Sequence, residues 1–547
     1  MNNALNTRLN NINTKQGSVA NYFANLKQLV QVNDGTRSFC IRTRDCRDQA
    51  APFTSNQLTT IDITHGDHMI SQLSDGFLTA KITLSVKITG IDNGNSGANF
   101  HDTNNITKVF IGLKSSNQLW DEMDILNRDV STGYHNQEMT REGFAYSTPM
   151  HKQEKKTKRF THSLYENVQE YSTSVCGTYV NIEDFKDGAA HDVQMEINIP
   201  FDHLLALQAF DLYPNSICGN LALKGYLRAR GFVWCMVNPM AVKEYKEFIQ
   251  GEDFSTFTFP GDIAGLYKHE FTQAGNSAPI ITGWTESSGT VTAVSGEATV
   301  LIQGMRVERL TSTMYGFSVE AESLNKIASQ FATPIIIPSQ QLIYNAFPLA
   351  ATTAGIQTTI NMPVSNCSNM SVVFPKYEND MTVFTNPVYQ NLQLIVDGKS
   401  YPDEAVSSMG AQFLQQQLIA SDLSAGLECT KEFEDSYIMD KNTSSGTRYG
   451  NTLRDGSSFM WNVQLERANA GYTFDGVDSH GQNIAIQLKG QPIFTSSGAN
   501  HYDTYYDVDA SGTKHPPPPQ LWLCCDTYFE VSSAGVRYIH NQTPDGY

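Results

Sequence analysis

The sequence predicts an all-β protein built from two antiparallel sandwiches in one chain. Three observations lead there. Apolar and polar residues alternate over short stretches along most of the sequence, which is the period-two signature of strands with one buried face. The composition is rich in Asn, Thr, Ser, Gly, Tyr and Phe and holds only 17% charged residues, a balance that favours strands and turns over long helices and excludes wholesale disorder. The length, 547 residues, corresponds to three or four ordinary domains or to two large β domains of roughly 200–250 residues each, ample to bury a core.

The clearest strand covers residues 78–88, where Leu78, Ala80, Ile82, Leu84, Val86 and Ile88 alternate with Thr, Lys and Ser. One apolar face predicts a half-buried strand of an antiparallel sheet. The alternation returns at Val193, Met195, Ile197 and Ile199, at Leu221 and Leu223, at Leu392, Leu394 and Val396, and at Ile484, Ile486 and Leu488. Short apolar runs at 232–237, 300–302 and 521–525 predict strands buried on both faces. Helical patterns are few: residues 117–130, 202–210 with Asp202 as N-cap after Pro200, 319–331 and 410–420. Without a regular strand–helix alternation, no parallel α/β sheet is expected.

Two distant segments resemble one another, GNLALKG at 219–225 and GQNIAIQLKG at 481–490. Each half then ends in an apolar Trp/Cys strand, with Phe232, Val233, Trp234 and Cys235 in the first and Leu521, Trp522, Leu523 and Cys524 in the second. Two copies of one sandwich account for both matches. The boundary is expected between residues 240 and 300, where charge, Gly and Ser are dense at 244–253 and 275–296. The predicted organisation is a basic N-terminal arm over 1–55, a first sandwich over 56–240, a linker and loop insertion over 241–300, and a second sandwich over 301–547 that includes the C-terminal strand.

Charge is uneven along the chain. Residues 1–50 hold seven Lys and Arg against three Asp, a balance of +4, which leaves −22 for the remainder of a chain whose net charge is −18. Two readings of this arm stay open, a mobile terminus and a contact for phosphates or an internal partner. A second basic cluster, Lys152, Lys155, Lys156, Lys158 and Arg159, reads as a solvated face. The acidic body argues against a protein that coats nucleic acid, because phosphate contacts supply most of that affinity. The segment MNNALNTRLNNINTKQG lacks the apolar core of a secretory signal, and no apolar run reaches the roughly 18 residues of a membrane span. Nine cysteines, without CxxC pairs, suit core thiols in a reducing compartment better than a disulfide framework or a zinc site.

No constellation for catalysis emerges, so no catalytic, cofactor-binding or metal-binding residue is assigned. Asp397-Gly398-Lys399-Ser400 imitates the end of a phosphate-binding loop, but the first glycine of that loop would fall at Gln393. Asp507, Asp509, Ser511 and Gly512 imitate the start of a calcium loop, yet the required twelfth-position Glu is Pro518. His65, Asp67 and His68 could meet on a turn, where a polar turn is the commoner outcome than a metal site. Cys524 and Cys525 sit in an apolar strand and read as inert core thiols, and no GxSxG elbow is present. Asn105-Ile106-Thr107 and Asn442-Thr443-Ser444 are sequons expected by chance in so Asn-rich a chain. The long polar loop at 500–519, with Tyr502, Tyr505, Tyr506 and the prolines from Pro516 to Pro519, points to a function carried by surface.

The segments FIGLKSSNQLWDEMDILNRDVSTGYHNQEMTREGFAYSTP at 110–149 and INIPFDHLLALQAFDLYPNSICGNLALKGYLRA at 197–229 resemble the major capsid proteins of polinton-like viruses and of their virophage and adintovirus relatives. LQLIVDGKSYPD at 392–403 and LWLCCDTYFEVSSAGVRY at 521–538 extend the resemblance in order and spacing. It implies a double jelly-roll, two eight-stranded sandwiches in one chain with a few short helices and long loops, of the adenovirus hexon lineage. It also implies a homotrimeric, pseudo-hexagonal capsomer that assembles an icosahedral shell beside penton and minor capsid proteins. Such a protein is made in the host cytoplasm and resides in the virion, without enzymatic activity, cofactor or small-molecule substrate. Under this resemblance the basic arm would lie beneath the shell, against an internal membrane, a minor protein or the genome. Leu204, Leu205, Leu207 and Phe210, like Trp120, Met123, Ile125 and Leu126, would be packing residues, and the insertions at 255–296 and 435–481 would form exposed towers or clasps. The alternative is an all-β carbohydrate-binding protein or glycosidase, because jelly-rolls serve both and paired carboxylates leave no sequence signature in a β fold. A receptor-binding spike is disfavoured by the absence of a repeat-rich shaft in the sequence.

Overall fold

The computed structural model describes residues 37–47, 52–91, 99–100, 102, 104–147, 163, 176–207, 210, 212–259, 271–350, 355–384, 389–406, 437–439, 448–450, 460–465, 474–492 and 517–542. Its second half shows the jelly-roll most plainly. One sheet runs in the order β18 (Ile335–Ala346), β27 (Gln520–Ser532), β20 (Cys367–Val373), β25 (Trp461–Gln464), with β28 (Gly535–Ile539) added beside β27. The facing sheet runs β19 (Ile356–Met362), β26 (Ile484–Pro492), β21 (Tyr389–Val396), β22 (Lys399–Val406). The chain thus crosses between the two sheets in the double Greek-key path of a jelly-roll. A small ribbon of β23 (Tyr437–Met439) and β24 (Arg448–Gly450) stands apart.

The first half repeats this plan. Its sheets run β3 (Leu58–Asp62), β12 (Leu221–Leu227), β7 (Trp120–Asn127), β8 (Val130–Asn136), and β15 (Thr272–Gln273), β13 (Val233–Met236), β6 (Lys108–Gly112), β9 (Gly177–Asn181). The two resembling segments fall on β12 and β26, which hold the same place in their sheets, and the Trp/Cys strands fall on β13 and β27, which do likewise. One edge differs, since β15 follows β13 in the chain whereas its counterpart β18 opens the second roll. At Gly225 of β12 an added Cβ would lie 2.0 Å from the Glu122 carbonyl oxygen, so the close pairing with β7 requires glycine.

The first half also carries a sheet that the sequence reading did not anticipate. Nine strands take part: the path β10 (His191–Pro200), β4 (Ile70–Thr89), β17 (Thr290–Ser318), β16 (Ser277–Ser287), β5 (Asn99–Phe100), with β1 (Arg37–Asp45), β2 (Phe53–Thr54), β11 (Leu212–Tyr213) and β14 (Phe257–Thr258) on its flanks. The strand expected at 78–88 lies inside β4, and its whole apolar face is buried. Burying each Leu, Ile or Val there contributes about 1.5–3 kcal/mol.

The boundary expected at residue 300 falls inside β17, whose residues 300–317 pair with β4. The first body therefore extends to about residue 318, because continuous ladder hydrogen bonds outweigh the local glycines and serines. For the same reason 277–296 is a paired hairpin with Ile280, Ile281 and Trp284 buried, not an exposed tower. The stretch 435–481 contributes the core strand β25, where Trp461 is buried.

The helical expectations divide. Residues 319–331 contain an α-helix, Ala321–Gln330. Residues 117–130 instead form a 3-10 turn, Ser116–Leu119, followed by β7. Trp120 and Met123 fit helical spacing, but Met123 and Ile125 also fit period two, and pairing with β12 and β8 decides between them. The described residues of 202–210 form two separate 3-10 turns, Phe201–His203 and Leu205–Leu207, and Asp202 lies inside the first, whose N-cap position is held by Pro200. The extended backbone of Leu204 between them lets Phe201, Leu204 and Leu207 all reach the core. The expected helix at 410–420 lies outside the described residues. Two helices have no counterpart in the sequence reading, α1 (Met139–Ser147) and α3 (Pro239–Tyr245), with the short α2 (Asn215–Cys218) between them.

The two rolls share a core. One apolar cluster runs from Leu78, Trp120 and Ile197 of the first body to Ile337, Phe529 and Tyr538 of the second, while the second roll keeps its own cluster around Leu394, Trp461 and Leu488.

Candidate functional site

The motifs singled out in the sequence resolve into structural roles. His65 and His68 have ring centroids 5.8 Å apart, and the Asp67 N–H donates to His65 Nδ1 at 3.1 Å, which makes a polar turn. Burial and the nearby Arg44 lower the His65 pKa. Among the described residues no group of three or more His, Cys, Asp or Glu could hold a metal ion. Asp397 and Gly398, with φ of 50° and 78°, form the two-residue turn between β21 and β22, a reason for Asp-Gly unrelated to phosphate. Cys524 and Cys525 are free thiols within β27, Cys525 buried and Cys524 half-buried, and desolvation pushes the Cys524 thiol well above its ordinary range. Asp507, Asp509, Ser511, Gly512, the cluster from Lys152 to Arg159, the tyrosines of the 500–519 loop and the sequon at Asn442 lie outside the described residues. No helix among those described is long and apolar enough to cross a membrane.

Of the arm, β1 is described, and it pairs antiparallel with β17 while Ile41, Arg42, Thr43, Arg44 and Asp45 stay exposed. With 41–45 exposed, β1 is held by its ladder with β17 and by a clamp beside it. The buried Asp62 of β3 accepts hydrogen bonds from Arg44 at 3.2 Å and Arg47 at 2.9 Å, and Arg47 also reaches Asp129. Asp62→Asn is expected to cost about 1–3 kcal/mol and to speed amide hydrogen exchange across β1. Unchanged exchange there would show that pairing with β17 alone holds the strand.

The densest polar and aromatic contacts join the two rolls. Helix α1 sends the Arg141 guanidinium over the Tyr344 ring of β18 at 3.7 Å, and sends Phe144 into an edge-to-face triad with Phe384 and Trp522, at 4.8 and 5.6 Å. On the same helix Glu142 is buried and accepts from the Asn136 amide and the Leu205 N–H, and burial pushes its pKa up to about 8. Nearby, the Asn276 amide donates to Asp380 at 3.0 Å and the Tyr377 hydroxyl donates to the Ser277 carbonyl at 2.8 Å. Burial raises Asp380 to about 7. Arg128, in the β7–β8 turn, donates to the Ile217 and Ser533 carbonyls at 3.0 Å, bridging to the β27–β28 turn.

Beside that bridge lies a groove of ≈ 410 Å³ lined by Arg128, Val130, Pro334, Glu530 and Arg537 among others. Glu530 is its one carboxylate and no aromatic ring lines it, whereas a glycan-binding or glycosidase site needs stacking rings or a carboxylate pair. Exposed apolar side chains lie on both bodies: Ile41, Val130, Tyr245, Phe248 and Ile249 on the first, Ile343 and Leu349 on the second. Sequence reasoning marked 244–253 only as charge-dense, and neither α1 nor these apolar positions carried a local motif.

No protein-family model matches the chain, and no curated protein matches it. Among solved structures it is similar to a chain of the Sputnik virophage, with 9% identity and a TM-score of 0.47 over 94% of this chain and 90% of that one. It is similar to the mavirus major capsid protein, with 9% identity and a TM-score of 0.40 over 92% of this chain and 91% of that one. It is also similar to the Faustovirus major capsid protein, with 8% identity and a TM-score of 0.40 over 97% of this chain and 99% of that one.

Proposed function

We propose that this chain is a viral major capsid protein, a double jelly-roll that trimerises into pseudo-hexagonal capsomers and builds an icosahedral shell. The observation that carries the reading is the doubling. Seven strands of the first roll correspond in sheet position and chain order to seven of the second, and the two bodies are fused through one core. The segments that resemble major capsid proteins lie on this framework: 197–229 ends on β12, and 521–538 spans β27 and β28. Two sandwiches per chain give three chains six in all, the outline of a hexagon, which tiles a shell.

Its partners in this reading are other copies of itself, then penton and minor capsid proteins, and it acts by contact rather than by catalysis. Many specific, largely polar subunit contacts replace an active site. The net charge of −18 suits an outer layer, and the basic arm suits an inward position. Solution mass by light scattering tests the reading. The expected value is three times 60.7 kDa, about 180 kDa, for a ring closed by head-to-tail contacts. A stable monomer would overturn it and favour a carbohydrate-binding protein.

A further inference from the structure

Two thiols of the second roll stand directly opposite one another. Cys367 opens β20 and Cys525 lies within β27, and the antiparallel ladder sets them as partners. The hydrogen bonds beside them fix which kind of pair this is. The Cys367 N–H and carbonyl both bond to Val477, while the next rung is closed by the Asp526 N–H donating to the Asn366 carbonyl at 2.9 Å. Cys367 and Cys525 are therefore a non-hydrogen-bonded pair, the position at which antiparallel Cα atoms approach to about 4.5 Å and side chains lie nearest. A disulfide needs Cα atoms roughly 4.4–6.8 Å apart, so the ladder already supplies the spacing.

Opposite residues of an antiparallel pair project to one face, and both thiols enter the apolar cluster around Leu394 and Trp461. Neither is in a disulfide. Cys524 is the next residue on β27, but successive strand residues point to opposite faces, and its partner in the ladder is Asn369. Of the other cysteines on described ladders, Cys40 stands opposite Gly316 and Cys235 opposite Phe110. The Cys367 thiol donates to the Asn369 carbonyl at 3.2 Å, a weak bond that a covalent link would replace. Burial, and after it the neighbouring Cys525 thiol, push the Cys367 thiol well above its ordinary range. Little thiolate is then present, so the pair reacts slowly.

We propose that Cys367 and Cys525 are a latent cross-link, closed by a peroxide into a disulfide that staples β20 to β27. One sulfur attacks the peroxide O–O bond, keeping one oxygen as a sulfenic acid and releasing the other as water. The second sulfur displaces the sulfenic oxygen as another water, and the S–S bond forms. Two thiols are thereby oxidised and one peroxide is reduced to two waters. The stretch between the cysteines carries β21 to β26, and a link that closes so long a loop restricts the unfolded chain strongly. The staple would form whether or not the chain builds a shell.

Mass spectrometry of the full chain tests it. The reduced protein is treated with hydrogen peroxide, its remaining thiols are alkylated in denaturant, and tryptic peptides are compared with and without reduction. The expected result is a peptide pair joining Cys367 to Cys525, kept in C524S and lost in C525S. With it the unfolding transition should rise by about 5–10 °C and return on adding dithiothreitol. Both thiols alkylated in the oxidised parent, or a cross-link that C524S abolishes, would overturn the pairing. A cross-link that leaves the transition unmoved would overturn the staple. The oxidised parent is read without any substitution, so a variant that fails to fold leaves the test standing.

Discussion

Phe144→Ala should lower the stability of the folded chain by about 3–5 kcal/mol and split its unfolding into two steps, one for each roll. Phe144 belongs to the first body, yet its ring lies edge-to-face with Phe384 and Trp522 of the second, and all three are buried. Truncation removes the buried ring and leaves a cavity where the two bodies meet, so that the cluster running from Leu78 to Phe529 remains as their apolar link while the second roll keeps a separate core. The loss therefore falls mainly on the coupling. Calorimetry is expected to show one transition for the parent and two for the variant. Hydrogen exchange should accelerate at 139–147 and 380–384 while β12 and β26 stay protected. A single transition shifted to lower temperature, with no local gain in exchange, would show that the rolls are coupled elsewhere.

What the sequence reveals follows the range of the forces involved. The strand at 78–88 was legible because burial of one face writes itself into every second residue, and the duplication was legible because β12 and β26 occupy equivalent places and need similar residues. Pairing between β4 and β17 was not legible. Their partners lie more than 200 residues apart, as in Leu78 opposite Ser312, and nothing in either segment names the other. The same distance hid the site. Phe144 and Phe384 each look like an ordinary apolar residue until the fold brings their rings to 4.8 Å. At 117–130 the sequence fitted two periods at once, and only the tertiary partner of β7 chose between them. Phe248 shows the converse, because its place among Lys and Glu residues conceals that the fold leaves its ring in solvent.

Glu142→Gln should make the protein more stable than the parent at pH 9 by on the order of 4 kcal/mol while leaving the two nearly equal at pH 5. Glu142 is fully buried, and burial raises its pKa from 4.5 in the unfolded chain to about 8 in the folded one. The folded state therefore holds the proton through a pH range in which the unfolded chain has released it. Stability is greatest below pH 4.5, falls as pH rises towards 8, and stays low above it. Asp380, raised by burial from 3.8 to about 7, adds a loss of the same sign at lower pH in both proteins. The ionisable groups near Glu142 do not compete in this window, because burial pushes Tyr134, Tyr538 and Cys524 above their ordinary ranges. Arg141, the neighbouring cation on the helix, is paired with Glu138. A glutamine amide matches the neutral carboxyl in shape and still offers an oxygen to the Asn136 amide and the Leu205 N–H, so the variant should lack this step. Denaturant unfolding at pH 5 and pH 9 measures it, and a variant whose stability falls with pH as steeply as the parent's would remove Glu142 as the cause. Because α1 also carries Arg141 and Phe144, ionising this carboxyl puts a buried charge on the helix that joins the rolls.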